Sequence, residues 1–66
     1  MKFRQGDLIY NKQYEILYIV LSVHLADELY ICIKLTEPYN YNHHLTKEYV
    51  ARYCALYTDI FKLDDI

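Results

Sequence analysis

Glycine and proline occur once each in this 66-residue chain, cysteine twice and tryptophan not at all. A lone glycine excludes the glycine-rich loops that cradle phosphates, because such loops need several residues free to adopt left-handed backbone. Two cysteines close at most one bridge, which excludes a secreted disulfide scaffold. Cys32 and Cys54 read instead as reduced, buried thiols. Cations are also few: seven Lys/Arg against nine Asp/Glu leave a formal charge of −2. They are dispersed along the chain rather than gathered into a basic patch, which disfavours general nucleic-acid binding. The longest apolar run, Ile16 to Leu21, falls far short of the ~20 residues of a membrane span. The segment Met-Lys-Phe-Arg-Gln-Gly-Asp has no apolar signal core, so the expectation is a cytoplasmic protein without a membrane partner.

What the chain does have is apolar and aromatic: 55% of its residues are hydrophobic and nine are tyrosine. That excludes disorder and fits a single small domain over residues 1–66. A domain of this size buries only about 60% of its extended-chain surface, so partners or dense packing have to help.

Gly6-Asp7 signals a turn, Asp7-Leu8-Ile9-Tyr10 a short strand, and Asn11-Lys12-Gln13 a second turn. From Tyr14 to Leu25 the pattern has period two. Its odd positions, Leu17, Ile19, Leu21, Val23 and Leu25, are all aliphatic, whereas Tyr14, Tyr18, Ser22 and His24 make the even side amphipathic. After the break Ala26-Asp27-Glu28, Leu29, Ile31, Ile33 and Leu35 continue an odd aliphatic face opposite Tyr30, Cys32 and Lys34. The pattern predicts an antiparallel hairpin whose odd positions face the core and whose tyrosine-rich even side is left over. Its loop then has an odd number of residues, three or five, unless a bulge intervenes, and Ser22 or His24 becomes an outer neighbour of Tyr30.

Glu37-Pro38 ends this strand, and Tyr39 to His44 reads as a loop or a fourth strand. Beyond Leu45 two readings compete. One is a long helix capped by Thr46, stapled by Leu45 and Val50, with Tyr49, Tyr53, Tyr57 and Phe61 on one stripe. The other is a helical turn over Lys47 to Arg52 followed by a strand through Cys54-Ala55-Leu56-Tyr57-Thr58.

The order of these signals resembles a known pattern. A Gly-Asp-Leu-Ile opening leads into Ile16 to Val23, then Leu29 to Leu35, and His44-Leu45-Thr46-Lys47-Glu48-Tyr49-Val50 precedes Tyr53-Cys54-Ala55-Leu56-Tyr57. This is similar to the small SH3-like barrels of short bacteriophage proteins, over residues 6 to about 58. The family's usual glycine between the second and third strands and its tryptophan late in the third are absent. The resemblance implies a mainly β fold, an SH3-like small barrel of about five strands with a short 3₁₀ or helical turn before the last strand. The alternative is a three-stranded antiparallel meander packed on a C-terminal amphipathic helix. The family implies binding of proteins or nucleic acid and no catalytic residues.

The chemistry-bearing residues point the same way. Zinc needs four ligands, usually in short-spaced pairs, and His24, Cys32, His43, His44 and Cys54 offer none. Adjacent His43 and His44 point oppositely in a strand. A nucleophilic cysteine needs an adjacent histidine and a lowered pKa, and packing beside tyrosines is the simpler role for Cys32. Tyrosine combines large apolar area with a polar tip and few rotatable bonds, which suits binding surfaces. Tyr18, Tyr30, Tyr49 and Tyr53 are expected in the core. Tyr39 and Tyr41, with His43, His44 and Arg52, form the candidate binding surface, with no catalytic residue, metal or cofactor.

The function expected is therefore a non-enzymatic protein-interaction module, of phage or mobile-element type, that binds and modulates a host protein in the host cytoplasm. Self-association is a second use of the same surface. The alternative is nucleic-acid or small-ligand binding in a tyrosine-lined groove, with Arg52, Lys47 and Lys34 near phosphates. A metal- or redox-sensing role is a third.

Overall fold

The computed structural model describes residues 2–35 and 42–61. Five strands form one antiparallel sheet: β1 (Leu8–Asn11), β2 (Ile16–His24), β3 (Leu29–Lys34), β4 (Asn42–Thr46) and β5 (Cys54–Leu56). Helix α1 (Lys47–Tyr53) joins β4 to β5, and α2 (Tyr57–Ile60) follows β5. The spatial order is β4-β3-β2-β1-β5, so β2, β3 and β4 make a meander and β5 returns to the free side of β1. The fold is mainly β, with five strands and a helical turn before the last, and β4 and β5 are left as sheet edges.

The stretch from Thr46 onward therefore divides into helix, strand and helix rather than forming one long helix. Its start follows the cap chemistry: the Thr46 hydroxyl accepts the Tyr49 N–H at 3.1 Å, and Val50 is the buried residue of α1. Its end reflects competition. Three β1 residues offer open backbone groups to Asn11↔Cys54, Tyr10↔Ala55 and Ile9↔Leu56 pairing, and an edge that gains a ladder there outweighs another turn of a short helix.

The hairpin faces are the reverse of the expectation. Tyr18, Val20, Tyr30 and Cys32 are buried, together with Ile9, Phe3, Val50 and Cys54, whereas Leu17, Ile19, Ile31 and Ile33 are only half-buried. The even side of the hairpin is thus the core side. The cause lies outside the hairpin: the layer that covers the sheet, α1 with its preceding cap and the N-terminal segment around Phe3, sits on the side of Tyr18 and Tyr30. The Phe3 ring packs tilted against Tyr30, 6.0 Å between centroids, and Phe3 donates its N–H to the Tyr30 hydroxyl at 3.1 Å. Tyrosine at these positions fills volume that an aliphatic side chain would leave open, and the Tyr30 hydroxyl reaches a backbone partner.

A bulge accounts for the remaining differences. Tyr18↔Lys34, Ile19↔Ile33 and Val20↔Cys32 pair in one register, Ser22↔Ile31, Val23↔Tyr30 and His24↔Leu29 in the next. Leu21 is the extra residue between them. It shifts the alternation by one, so Val23 packs against the core while Ser22 and His24 turn outward. The connecting segment 25–28 then has four residues. With so little glycine, both hairpin turns place glutamate in the left-handed region, Glu15 at φ 57° and Glu28 at φ 54°.

Candidate functional site

The sheet has two chemically different faces. The inner one holds the core and a buried polar group, Asn11, which is fully inaccessible. Its Oδ1 accepts the N–H groups of Gln13 at 2.9 Å and Tyr14 at 3.1 Å, closing the β1–β2 turn. Its Nδ2 donates to the Tyr49 hydroxyl of α1 at 2.8 Å. Every polar atom of this side chain is thus engaged, which is what permits its burial.

Both thiols are on this side and free. Burial, with the neighbouring Cys54 adding to it, pushes Cys32 up to about 12, and burial alone pushes Cys54 up to about 11. Tyr18 is pushed up to about 12, first by burial and next by the adjacent Tyr49. Such thiols stay protonated and are poor nucleophiles at neutral pH. Unfolding restores ordinary acidities, so above about pH 9 the unfolded chain holds fewer protons than the folded one and stability falls as pH rises. The urea midpoint is expected to be level from pH 7 to 8.5 and to decline steadily up to pH 11. A Cys32→Ala/Cys54→Ala variant should decline less, and an equal decline in both would show that the thiols are not the titrating groups.

Of the expected site residues, the structure describes His43, His44 and Arg52, and it sets the two histidines on opposite sides of β4. Tyr39 and Tyr41 lie outside the described residues. His43 is half-buried on the core side of β4, with its ring edge-on to Tyr18 at 5.7 Å. His44 is exposed on the opposite side, across from Ile31, so the strand alternation separates the two histidines. Arg52 is exposed on α1, where it shares an open groove with Glu48, Tyr49, Ala51 and Tyr53. Of the tyrosines expected in the core, Tyr18 and Tyr30 are buried and Tyr49 is half-buried, but Tyr53 is exposed at 37%. Among the described residues, no group of three or more His, Cys, Asp or Glu gathers to hold a metal ion. No described helix is long and apolar enough to cross a membrane.

The outer face is the feature that the residue-by-residue reading missed. Leu8, Leu17, Ile19, Leu29, Ile31 and Ile33 stand side by side across β1, β2 and β3, and none is buried. The only Asp, Glu, Lys or Arg in any of the five strands is Lys34. It pairs with Tyr18 on the inner side, so none of the strand residues on the outer face is Asp, Glu, Lys or Arg. Polar groups border it: Ser22 and His24, 3.1 Å apart, at the hairpin end, and Asn42, His44 and Thr46 along the β4 edge. At the β1–β5 corner α2 reaches this side, with Tyr57 and Phe61 packed on Tyr10 at 6.1 and 5.1 Å.

No protein-family model matches the chain, and no curated protein or solved structure shows a significant match to it. The signal that pointed to the outer face was present in the sequence as the unbroken odd aliphatic series. That series predicts a core face, because apolar continuity alone does not say which side of a sheet is covered.

Proposed function

We propose that this chain is a non-enzymatic protein-interaction module of SH3-like arrangement, of the phage or mobile-element type, that binds and modulates a host protein through the outer face of its sheet. The observation that carries this reading is the aliphatic face whose strand residues include no Asp, Glu, Lys or Arg, bordered by Ser22 and His24 at the hairpin end and by Asn42, His44 and Thr46 along β4. An apolar centre free of charge with a polar border is the composition of a protein–protein contact surface. The SH3-like arrangement is supported by the β2-β3-β4 meander and by the helical turn that leads into a last strand beside β1. The non-enzymatic half is supported by the burial of both thiols.

The nucleic-acid alternative has weaker support. Tyr18 and Tyr30, which would serve as stacking platforms, are inside the core. The exposed groove on α1 pairs Arg52 and Tyr53 with Glu48, a carboxylate that repels phosphate.

The immobilised chain should capture a protein from lysate of its native host, and the double variant Ile19→Lys/Ile33→Lys should lose it. Arg52→Glu should retain it. Fluorescent single- and double-stranded oligonucleotides at low salt should give flat titrations. Capture indifferent to the double variant, or oligonucleotide binding that falls steeply with salt, overturns this reading.

A further inference from the structure

The ladder between β1 and β2 stops short of the end of β2. Gly6 donates its N–H to the Val20 carbonyl at 2.7 Å and Val20 donates to the Asp7 carbonyl at 2.9 Å, so Gly6 and Asp7 stand together opposite Val20. The chain then turns away over residues 4–7. Asp7 donates its N–H to the Arg4 carbonyl at 3.0 Å, its Oδ2 accepts the Arg4 N–H at 2.9 Å, and Gly6 supplies the left-handed φ of 92°. Beyond Val20, β2 continues over residues 21–24, a length of about 13 Å. Among the described residues no strand pairs with it there on the side away from β3.

The bulge decides which backbone groups this open edge offers. Val20 directs its N–H and C=O toward β1. With Leu21 as the extra residue, the next to direct theirs that way are Val23 and then Leu25. The Leu25 carbonyl accepts the Glu28 N–H at 3.2 Å, which leaves a donor and an acceptor on Val23 and a donor on Leu25. A groove of about 400 Å³ opens beside them, lined by Phe3, Arg4, Gln5, Ser22, Val23 and Leu25.

Its lining is largely apolar and carries one charge. Phe3 belongs to the core, Val23 packs against it, and Leu25 is 68% exposed. Neither Asp7 nor Asp27 lines the groove. Among the described residues the Arg4 guanidinium forms no ion pair: Asp7 takes the Arg4 backbone N–H, and Glu28 meets Lys47 at 3.6 Å. Lys2, its ammonium 5.3 Å from the centre of the Phe3 ring, adds a second cation to this end of a chain whose formal charge is −2.

We propose that this groove takes an extended acidic segment of a partner protein as an added strand on the end of β2. An apolar side chain of the segment lies on Phe3, Val23 and Leu25, and an aspartate or glutamate two residues away meets Arg4. Backbone bonding to Val23 and Leu25 sets the register, and the period of two puts both side chains on one side of the segment. The carboxylate is a side chain's rather than a chain terminus's. Terminal carboxylates are held by clusters of free backbone N–H groups, and those of Arg4, Gly6 and Asp7 are already donated within the fold. A side-chain carboxylate instead meets the guanidinium in a charge-assisted pair. The site uses neither Ile19 nor Ile33 and stands independently of the outer face.

The probe is a fluorescein-labelled Thr-Val-Thr-Asp-Thr peptide with an amidated end, titrated with the full chain up to 1 mM and read by anisotropy. It should bind with a dissociation constant on the order of 100 µM, and the Val23 and Leu25 amides should shift and gain exchange protection. Arg4→Glu should weaken binding at least ~10-fold, and Ile19→Lys/Ile33→Lys should leave it unchanged. Should either variant fail to fold, the probes decide on the wild-type chain. Exchanging the probe's Asp for Lys, or methylating all its backbone nitrogens, should each weaken binding at least ~10-fold. A flat titration, equal binding of the Lys or methylated probe, or shifts confined to the Ile19–Ile33 face overturns the proposal. Loss of host-protein capture in Ile19→Lys/Ile33→Lys bears on the outer face alone.

Discussion

Asn11→Ala should destabilise the protein by about 2–4 kcal/mol, more than any other single loss of a polar group in the structure. The side chain is fully buried and makes three hydrogen bonds, two to backbone N–H groups of the β1–β2 turn and one to the Tyr49 hydroxyl. Truncation removes the acceptor for the two turn amides, opens a void beneath α1 and leaves the Tyr49 hydroxyl without its donor. Tyr49→Phe removes only the last of these contacts and should cost about 1 kcal/mol. A domain of this length has a total stability of about 3–10 kcal/mol, so Asn11→Ala leaves a protein near its unfolding threshold. Urea denaturation followed by circular dichroism reads both variants. Equal midpoints for Asn11→Ala and Tyr49→Phe would falsify the role assigned to the turn amides.

Ile9→Ala and Ile19→Ala should differ by about 2 kcal/mol although both replace the same residue on neighbouring strands. Ile9 is inaccessible on the inner face, between Tyr18 on β2 and Leu56 on β5. Its truncation should cost about 3–4 kcal/mol in lost transfer energy and cavity. Ile19 is half-buried on the outer face beside Leu8 and Ile33, and in dilute solution its truncation should cost about 1–1.5 kcal/mol. The comparison is made by urea titration at a concentration low enough to keep the chain monomeric. If Ile19→Ala proves the costlier change, the odd positions of the hairpin face the core after all.

Much of the fold was legible because it is written locally. Gly6-Asp7, the alternating run that became β2, the charged break before Leu29 and the Thr46 cap each act within a few residues, and each marks an element or its boundary. The choice of core side was not local. Val20 and Ile19 differ little in hydrophobicity, and what buries one and not the other is Phe3 and Val50, residues remote in sequence that land on one side of the sheet. Leu21 hid its bulge for a related reason: being aliphatic, it continued the odd series through the point where the register shifts. Asn11 read as a turn residue, and it does close a turn. Its burial depends on Tyr49, 38 positions away, a separation no spacing rule reaches. Of the expected binding residues, His43 and His44 were separable by strand alternation alone, whereas the aliphatic outer face emerges only once five strands lie in order.

The pairing of β1 with β5 has a consequence for how the protein comes into being. β1 to β4 are successive in sequence and can meet as soon as they are made, but the second edge of β1 finds its partner only when Ile9 meets Leu56. The first strand therefore keeps one edge open until β5 has been made, and the closing contact is the one of greatest loop entropy. Until then the Asn11 side chain has no Tyr49 to bind and the inner face has no lid. Closure of the sheet and burial of Asn11 thus come together, once residues 49–56 are in place, rather than strand by strand.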